Sequence, residues 1–124
     1  MKTIPANKSS LLALCLIVAM LNAGCHKSEV KTMGAPLASV PLLNVKEIKA
    51  SKGKTVLVKG TMIEKCPVAG CWFKLQDKSG IVKIDAKAAG FVVTEIPLNT
   101  EITASGKVVD GENPTVLATG IRYQ

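Results

Sequence analysis

Lys54-Thr55-Val56-Leu57-Val58-Lys59-Gly60-Thr61-Met62-Ile63-Glu64-Lys65-Cys66 and, four residues later, Cys71-Trp72-Phe73-Lys74-Leu75-Gln76-Asp77 decide the fold, because both stretches alternate with a period of two. A β-strand sends successive side chains to opposite faces, so this pattern marks strands buried on one side. In the first stretch Val56, Val58, Gly60, Met62 and Cys66 share a face, with Thr55, Lys59, Thr61 and Lys65 on the other. In the second, Cys71, Phe73 and Leu75 share a face, opposite Trp72, Lys74 and Gln76. The short connection makes the two an antiparallel hairpin.

Outward from this hairpin the same period continues. Asp77-Lys78-Ser79-Gly80 is a turn, and residues 81–85 form a third strand. Residues 86–97 break the alternation and read as a loop or helical turn; Glu101–Val109 and Thr115–Tyr123 restore it on either side of the turn Asp110-Gly111-Glu112-Asn113-Pro114. Upstream, Leu42, Leu43, Val45 and Ile48 fit a short helical stripe that stops at Gly53. Five strands with a longer link between the third and fourth resemble the OB-fold, a small Greek-key barrel. Gly60, Gly106 and Gly120 lie inside the strand patterns, where glycine serves a bend or a close backbone approach. The expected fold is therefore all-β: a five-stranded OB-fold-like barrel with a short N-terminal helix, spanning residues 41–124.

The first 24 residues read differently. Lys2 and Lys8 precede an apolar run at residues 11–21, and Ala23-Gly24 lead to Cys25, the anatomy of an export signal. The ending resembles the lipobox of bacterial lipoproteins, with Asn22 where such boxes usually carry Leu. That resemblance implies that Cys25 is lipidated and becomes the new N-terminus, anchored on the periplasmic side of the outer or inner membrane. An ordinary secretory signal and an uncleaved anchor are the alternatives; the apolar run falls short of the ~20 residues a spanning helix needs. Residues 25–40 hold charges, small residues, Gly34 and Pro36 without apolar period, and read as a flexible tether.

Without the leader, 100 residues remain, enough for one domain, with 14 cations against 9 anions, a net charge of +5. All the cations but Arg122 are lysines, and the chain has one Trp, one Tyr and two Phe. Lysine excess without arginine forks or interleaved aromatics argues against nucleic-acid recognition and fits a solvated surface near anionic lipid. No Ser/His/Asp set and no phosphate loop occurs, and the carboxylates of Asp77, Asp85, Asp110 and Glu112 sit mostly in turns, so no enzyme is expected.

Cys15 leaves with the signal and Cys25 is taken by lipid, which leaves Cys66 and Cys71. Three readings stay open. If the two face each other across the hairpin, their Cα atoms lie about 4.5–5.5 Å apart, within disulfide range, and the short ring contributes roughly 2 kcal/mol. Reduced, they could exchange with other thiols, although the spacing is not Cys-x-x-Cys. With Met62 they could hold a soft ion such as copper(I). Zinc would want four ligands, and the mature chain has a single histidine, His26, in the tether.

Cys66-Pro67-Val68-Ala69-Gly70-Cys71-Trp72-Phe73, read with residues 56–61 and 75–80, resembles a family of small exported bacterial OB-fold proteins of unknown function, marked by Cys, four residues, then Cys-Trp on the first hairpin. The resemblance implies the barrel and the envelope location and brings no catalytic residues. OB-folds that carry haem use a C-terminal histidine, and Ile121-Arg122-Tyr123-Gln124 has none. By parity Trp72, Lys74 and Gln76 face outward, where OB-folds meet ligands, while Phe91 and Tyr123 plug core and edge. The resulting reading is a lipid-anchored binding module for a partner protein or small ligand, with a Cys66–Cys71 disulfide and no cofactor. A copper- or thiol-handling accessory factor is the second reading, and nucleic-acid binding the third.

Overall fold

A computed structural model describes residues 24, 28–110 and 113–124. The export leader, Cys25 and His26 fall outside the described residues apart from Gly24. Along the chain lie β1 (Lys31–Gly34), β2 (Leu42–Leu43), helix α1 (Val45–Ile48) with a 3-10 turn (Lys49–Ser51), β3 (Thr55–Lys65), β4 (Trp72–Asp77), β5 (Gly80–Asp85), a second 3-10 turn (Lys87–Ala89), β6 (Glu101–Val109) and β7 (Thr115–Tyr123). Among the described residues no helix is long and apolar enough to cross a membrane.

The five long strands close into a ring. β3 pairs with β4, β4 with β5, β5 with β7, β7 with β6, and β6 returns to β3; only the β5–β7 pair is parallel. This is the OB-fold that the alternation predicts. Inward residues fill the barrel: Val56, Val58 and Met62 from β3, Phe73 and Leu75 from β4, Val82 and Ile84 from β5, with matching residues of β6 and β7. Val45 and Ile48 of α1 and Val93 and Ile96 of the 86–100 segment complete the core, against which Phe91 and Tyr123 pack partly buried.

Closure with a stagger leaves half-edges, and two short strands occupy them. β5 covers β7 only at Thr115, Val116 and Leu117. β1 takes the remainder, with Lys31 opposite Tyr123 and Gly34 opposite Gly120. β4 covers β3 from Thr61 onward, and β2 takes Leu57 and Val58 beside it. An unpaired edge exposes backbone donors and acceptors, so filling it satisfies them and blocks association with other chains. The flexible tether read for residues 25–40 is thereby corrected: residues 31–34 are strand, the Ala35 amide donates to the Thr119 carbonyl at 2.8 Å, and the Ala38 amide donates to Ser105 Oγ at 3.0 Å.

Close approach explains Gly120, since a Cβ there would run into the Ala35 carbonyl oxygen as β1 leaves the sheet. The helical stripe also starts later than the sequence suggests. Asn44 caps α1, its amide donating to the Glu47 carboxylate at 2.7 Å, so Leu42 and Leu43 stay extended and only Val45 and Ile48 face the core from the helix.

Candidate functional site

One irregularity in β3 sets the aim of everything at its end. The register runs Met62 opposite Leu75, then Glu64 opposite Lys74 and Lys65 opposite Phe73, with a bulge at the intervening Ile63. A bulge adds one residue to one strand and shifts its parity. Glu64 therefore joins the outer face, where its carboxylate meets Lys74 Nζ at 3.2 Å. Lys65 moves to the side of Phe73, and its ammonium donates to the carbonyls of Thr94 at 2.9 Å and Ile96 at 2.6 Å. Lys65 thus ties the 86–100 segment over this end of the barrel, a role that sequence parity, which puts it on the solvated face, conceals.

The same shift separates the cysteines from their expected arrangement. The Cys66 amide donates to the Trp72 carbonyl at 3.0 Å and the Ala86 amide donates to the Cys71 carbonyl at 2.8 Å. Cys66 is therefore in register with Trp72, one residue off the direct opposition with Cys71 that the sequence suggests. Both thiols are half-exposed, and no bond joins them in the structure. Between them the chain turns tightly: the Gly70 amide donates to the Cys66 carbonyl at 3.2 Å, and Gly70 holds a left-handed φ of 60°. The Val93 amide donates to the Gly70 carbonyl at 2.9 Å, docking this turn on the 86–100 segment.

That turn favours charge on the Cys66 sulfur. The amides of Ala69 and Val68 lead, burial opposes them weakly, and the Gly70 amide and the Cys71 thiol add to the effect, lowering the Cys66 pKa from 9.0 to about 7. Donors aimed at sulfur stabilise the thiolate over the thiol. Met62, read as a third soft ligand, is wholly buried opposite Leu75. Four residues of strand, about 13 Å, separate it from Cys66, so the structure does not bring it to the thiols. Among the described residues no group of three or more His, Cys, Asp or Glu side chains could hold a metal.

The outer row of β4 lies beside that of β5. Trp72 is opposite Asp85, Lys74 opposite Lys83, and Gln76 opposite Ile81. Phe73 and Leu75 point into the core, leaving Trp72 and Lys74 half-exposed and Gln76 exposed. Lys83 Nζ stands 5.4 Å from the Trp72 ring centroid and Lys74 Nζ 6.0 Å, both within cation–π reach. Lys74 is shared with Glu64, whereas Lys83 has no carboxylate partner among the described residues. A groove of about 300 Å³ continues from the two lysines between Ile63, Ile81, Asn113 and Pro114. Gln76 opens instead to a wider depression of about 780 Å³ on the far side, lined by Leu42, Lys78 and the Lys59–Glu101 ion pair at 3.1 Å. The three residues singled out in the sequence form one row but serve two depressions.

Asp77 secures the other end of that row. Its carboxylate accepts from the Ser79 amide at 2.7 Å, Ser79 Oγ at 2.6 Å, the Gly80 amide at 3.1 Å and, across the barrel end, the Val45 amide at 2.8 Å. Burial pushes its pKa up, but the Ser79, Val45 and Gly80 donors outweigh it and the net shift is downward. A carboxylate held below its ordinary pKa adds stability above about pH 4 and loses it as pH falls through the folded value. An Asp77→Ala variant is expected to lose about 1–2 kcal/mol at pH 7, a difference that narrows as pH falls below about 4, read from urea midpoints across that range. A constant difference between the two at all pH values would contradict this role.

No protein-family model matches the chain, and no curated protein matches it either. Solved structures do. The hypothetical protein ygiW from E. coli is similar with a TM-score of 0.53 at 17% identity, over 74% of this chain and 100% of that one. The S. pombe Stn1–Ten1 complex contains a chain similar with a TM-score of 0.50 at 19% identity, over 66% of this chain and 77% of that one. At such identities the likeness bears on the fold, and it agrees with the OB barrel.

Proposed function

We propose that this chain is an envelope lipoprotein whose barrel is a binding module for an anionic partner protein or small ligand, engaged on the outer face of β4 and β5. The observation that carries this reading is the Trp72 ring with the ammonium groups of Lys83 at 5.4 Å and Lys74 at 6.0 Å from its centroid. Aromatic surface gives contact area at low entropic cost, and two cations directly opposite each other repel unless a counter-charge joins them. In OB-folds the corresponding strands and the loops flanking them are the usual contact surface. Here the cysteine turn lies at one end and Asn113 and Pro114, just before β7, at the other.

The envelope location rests on the leader and on Cys25. Residues 31–34 are strand, so only six steps of chain join Cys25 to the barrel, a reach of about 20 Å. Lipid at Cys25 would hold the module close to the bilayer instead of letting it range on a long tether. A Cys25→Ser variant recovered in the soluble envelope fraction supports the anchor, and one that stays with the membrane contradicts it.

Trp72 is the chain's only tryptophan, so its emission reports this face directly. Titration with a polyglutamate peptide is expected to give a saturable change that weakens about tenfold between roughly 20 and 200 mM salt. The change should vanish in a Lys74→Glu/Lys83→Glu variant. No saturable change, or an equal one in the charge-reversed protein, would contradict the reading. Tighter, salt-sensitive binding of a single-stranded oligonucleotide would replace it with nucleic-acid recognition.

A further inference from the structure

The cysteine turn carries chemistry that binding at Trp72 does not require. We infer that Cys66 and Cys71 are a thiol–disulfide exchange pair acting on an accessible disulfide of a partner polypeptide, with Cys66 the attacking and Cys71 the resolving thiol. The inference stands independently of what occupies the β4–β5 face.

Three features of the turn support it. First, the two sulfurs differ in setting: Cys66 opens the turn in register with Trp72, followed by the Val68, Ala69 and Gly70 amides that favour its thiolate, whereas Cys71 closes the turn with its carbonyl held by the Ala86 amide at 2.8 Å. Second, the donors are fixed. Pro67, which has no amide hydrogen, occupies the one position between the cysteines that is not a donor; Gly70 supplies the left-handed residue, and the Val93 and Cys66 amides pin the turn to neighbouring backbone. Third, the site is accessible. Both thiols are half-exposed, and Val68 at the tip is 89% exposed, an apolar contact for a polypeptide approaching the sulfurs.

In the first step the Cys66 thiolate attacks one sulfur of the partner's disulfide. The Cys66–partner S–S bond forms, the partner's own S–S bond breaks, and its second sulfur leaves as a thiolate that takes a proton from water. Cys71 then gives its proton to solvent and attacks Cys66 Sγ. The Cys66–Cys71 bond forms, the mixed disulfide breaks, and the first partner sulfur leaves and is protonated. Two electrons pass from the pair to the partner, which is reduced to two thiols while the pair is oxidised. The disulfide expected from the sequence is then the product of this exchange and the free thiols its starting form.

An attacking thiol works best when its pKa is near ambient pH, because a lower value costs nucleophilicity and a higher one costs thiolate. Against a thiol at the ordinary value of 9.0, the Cys66 sulfur at pH 7 has about fiftyfold more thiolate and about eightfold less intrinsic nucleophilicity, a net advantage of roughly sixfold that reverses by pH 9.

The test uses the full reduced chain with oxidised glutathione as the probe, followed by mass and peptide mapping. Glutathione is expected on Cys66 first, followed by its release and a chain lighter by two hydrogens; a Cys71→Ser variant should accumulate the Cys66 adduct. Iodoacetamide alkylation of the unmodified protein, which needs no variant to fold, should label Cys66 with a midpoint near pH 7. Preferential reaction at Cys71, adducts that never resolve, or a Cys66 midpoint near that of an ordinary thiol would overturn the inference. So would a Cys66–Cys71 disulfide that millimolar reduced glutathione cannot open, which would make the bond structural. Thiols that react only after a soft metal is stripped from the purified chain would assign the turn to metal binding instead.

Discussion

Phe73→Ala is expected to destabilise the barrel by about 3–5 kcal/mol, enough to lower the melting temperature by more than about 12 °C. Phe73 is the largest of the fully enclosed side chains, held opposite Ile84 on β5 and Lys65 on β3. Removing its ring leaves a cavity that neighbours in strands cannot collapse to fill, so the lost burial and the void both count. A domain of this size has a total stability of about 5–15 kcal/mol, which makes this loss a large share of the whole. Function should fail with stability, because Phe73 lies between Trp72 and Lys74 and its packing holds both outward. Phe91→Ala, at a partly buried site, should cost visibly less. Equal losses at the two positions, or a Phe73→Ala protein within about 1 kcal/mol of the parent, would contradict the packing described.

Gly70→Val has the second large effect, and it separates strain from collision. At a φ of 60° any side chain is strained, and a Cβ at Gly70 would lie 2.7 Å from Thr94 Cγ2 and 2.9 Å from the Thr94 backbone nitrogen. Gly53 has a similar φ of 80° with nothing near its Cβ position, so Gly53→Val meets the strain alone. The strain amounts to about 1–2 kcal/mol at either site, and at Gly70 the backbone contact adds to it. Gly70→Val should therefore melt lower than Gly53→Val. It should also slow Cys66 alkylation at pH 7 severalfold, because the turn must open and withdraw its amides from the sulfur. Unchanged Cys66 reactivity in a destabilised Gly70→Val protein would detach the turn's geometry from the thiol's chemistry.

The barrel was legible in the sequence wherever alternation survives unbroken. In β4, Trp72 through Asp77 contain no irregularity, and parity alone placed Phe73 and Leu75 inside with Trp72 and Lys74 outside. In β3 the same reasoning failed beyond Met62. Ile63 is apolar and fits either face, so nothing in the letters marks it as a bulge, and the parity shift it causes moved Lys65 and Cys66 to unexpected sides. β1 was hidden for a different reason. Lys31-Thr32-Met33-Gly34 is too short to show a period, and its pairing depends on the unfilled half-edge of β7, a property of the closed ring rather than of those four residues. The cysteine spacing marks the turn, but the groups that favour a thiolate at Cys66 are chiefly backbone amides, which any non-proline sequence supplies and only the fold places.

The proposed recognition face and envelope location are tested most directly by photo-crosslinking in the intact cell envelope, with a photoreactive residue placed at Lys83 beside Trp72 or at exposed Lys107 on β6 as the control. The expected result is a discrete adduct from position 83, absent at position 107 and lost when Trp72→Ala is added. The same adducts from both positions, or adducts from 107 alone, would contradict the assignment of the β4–β5 face.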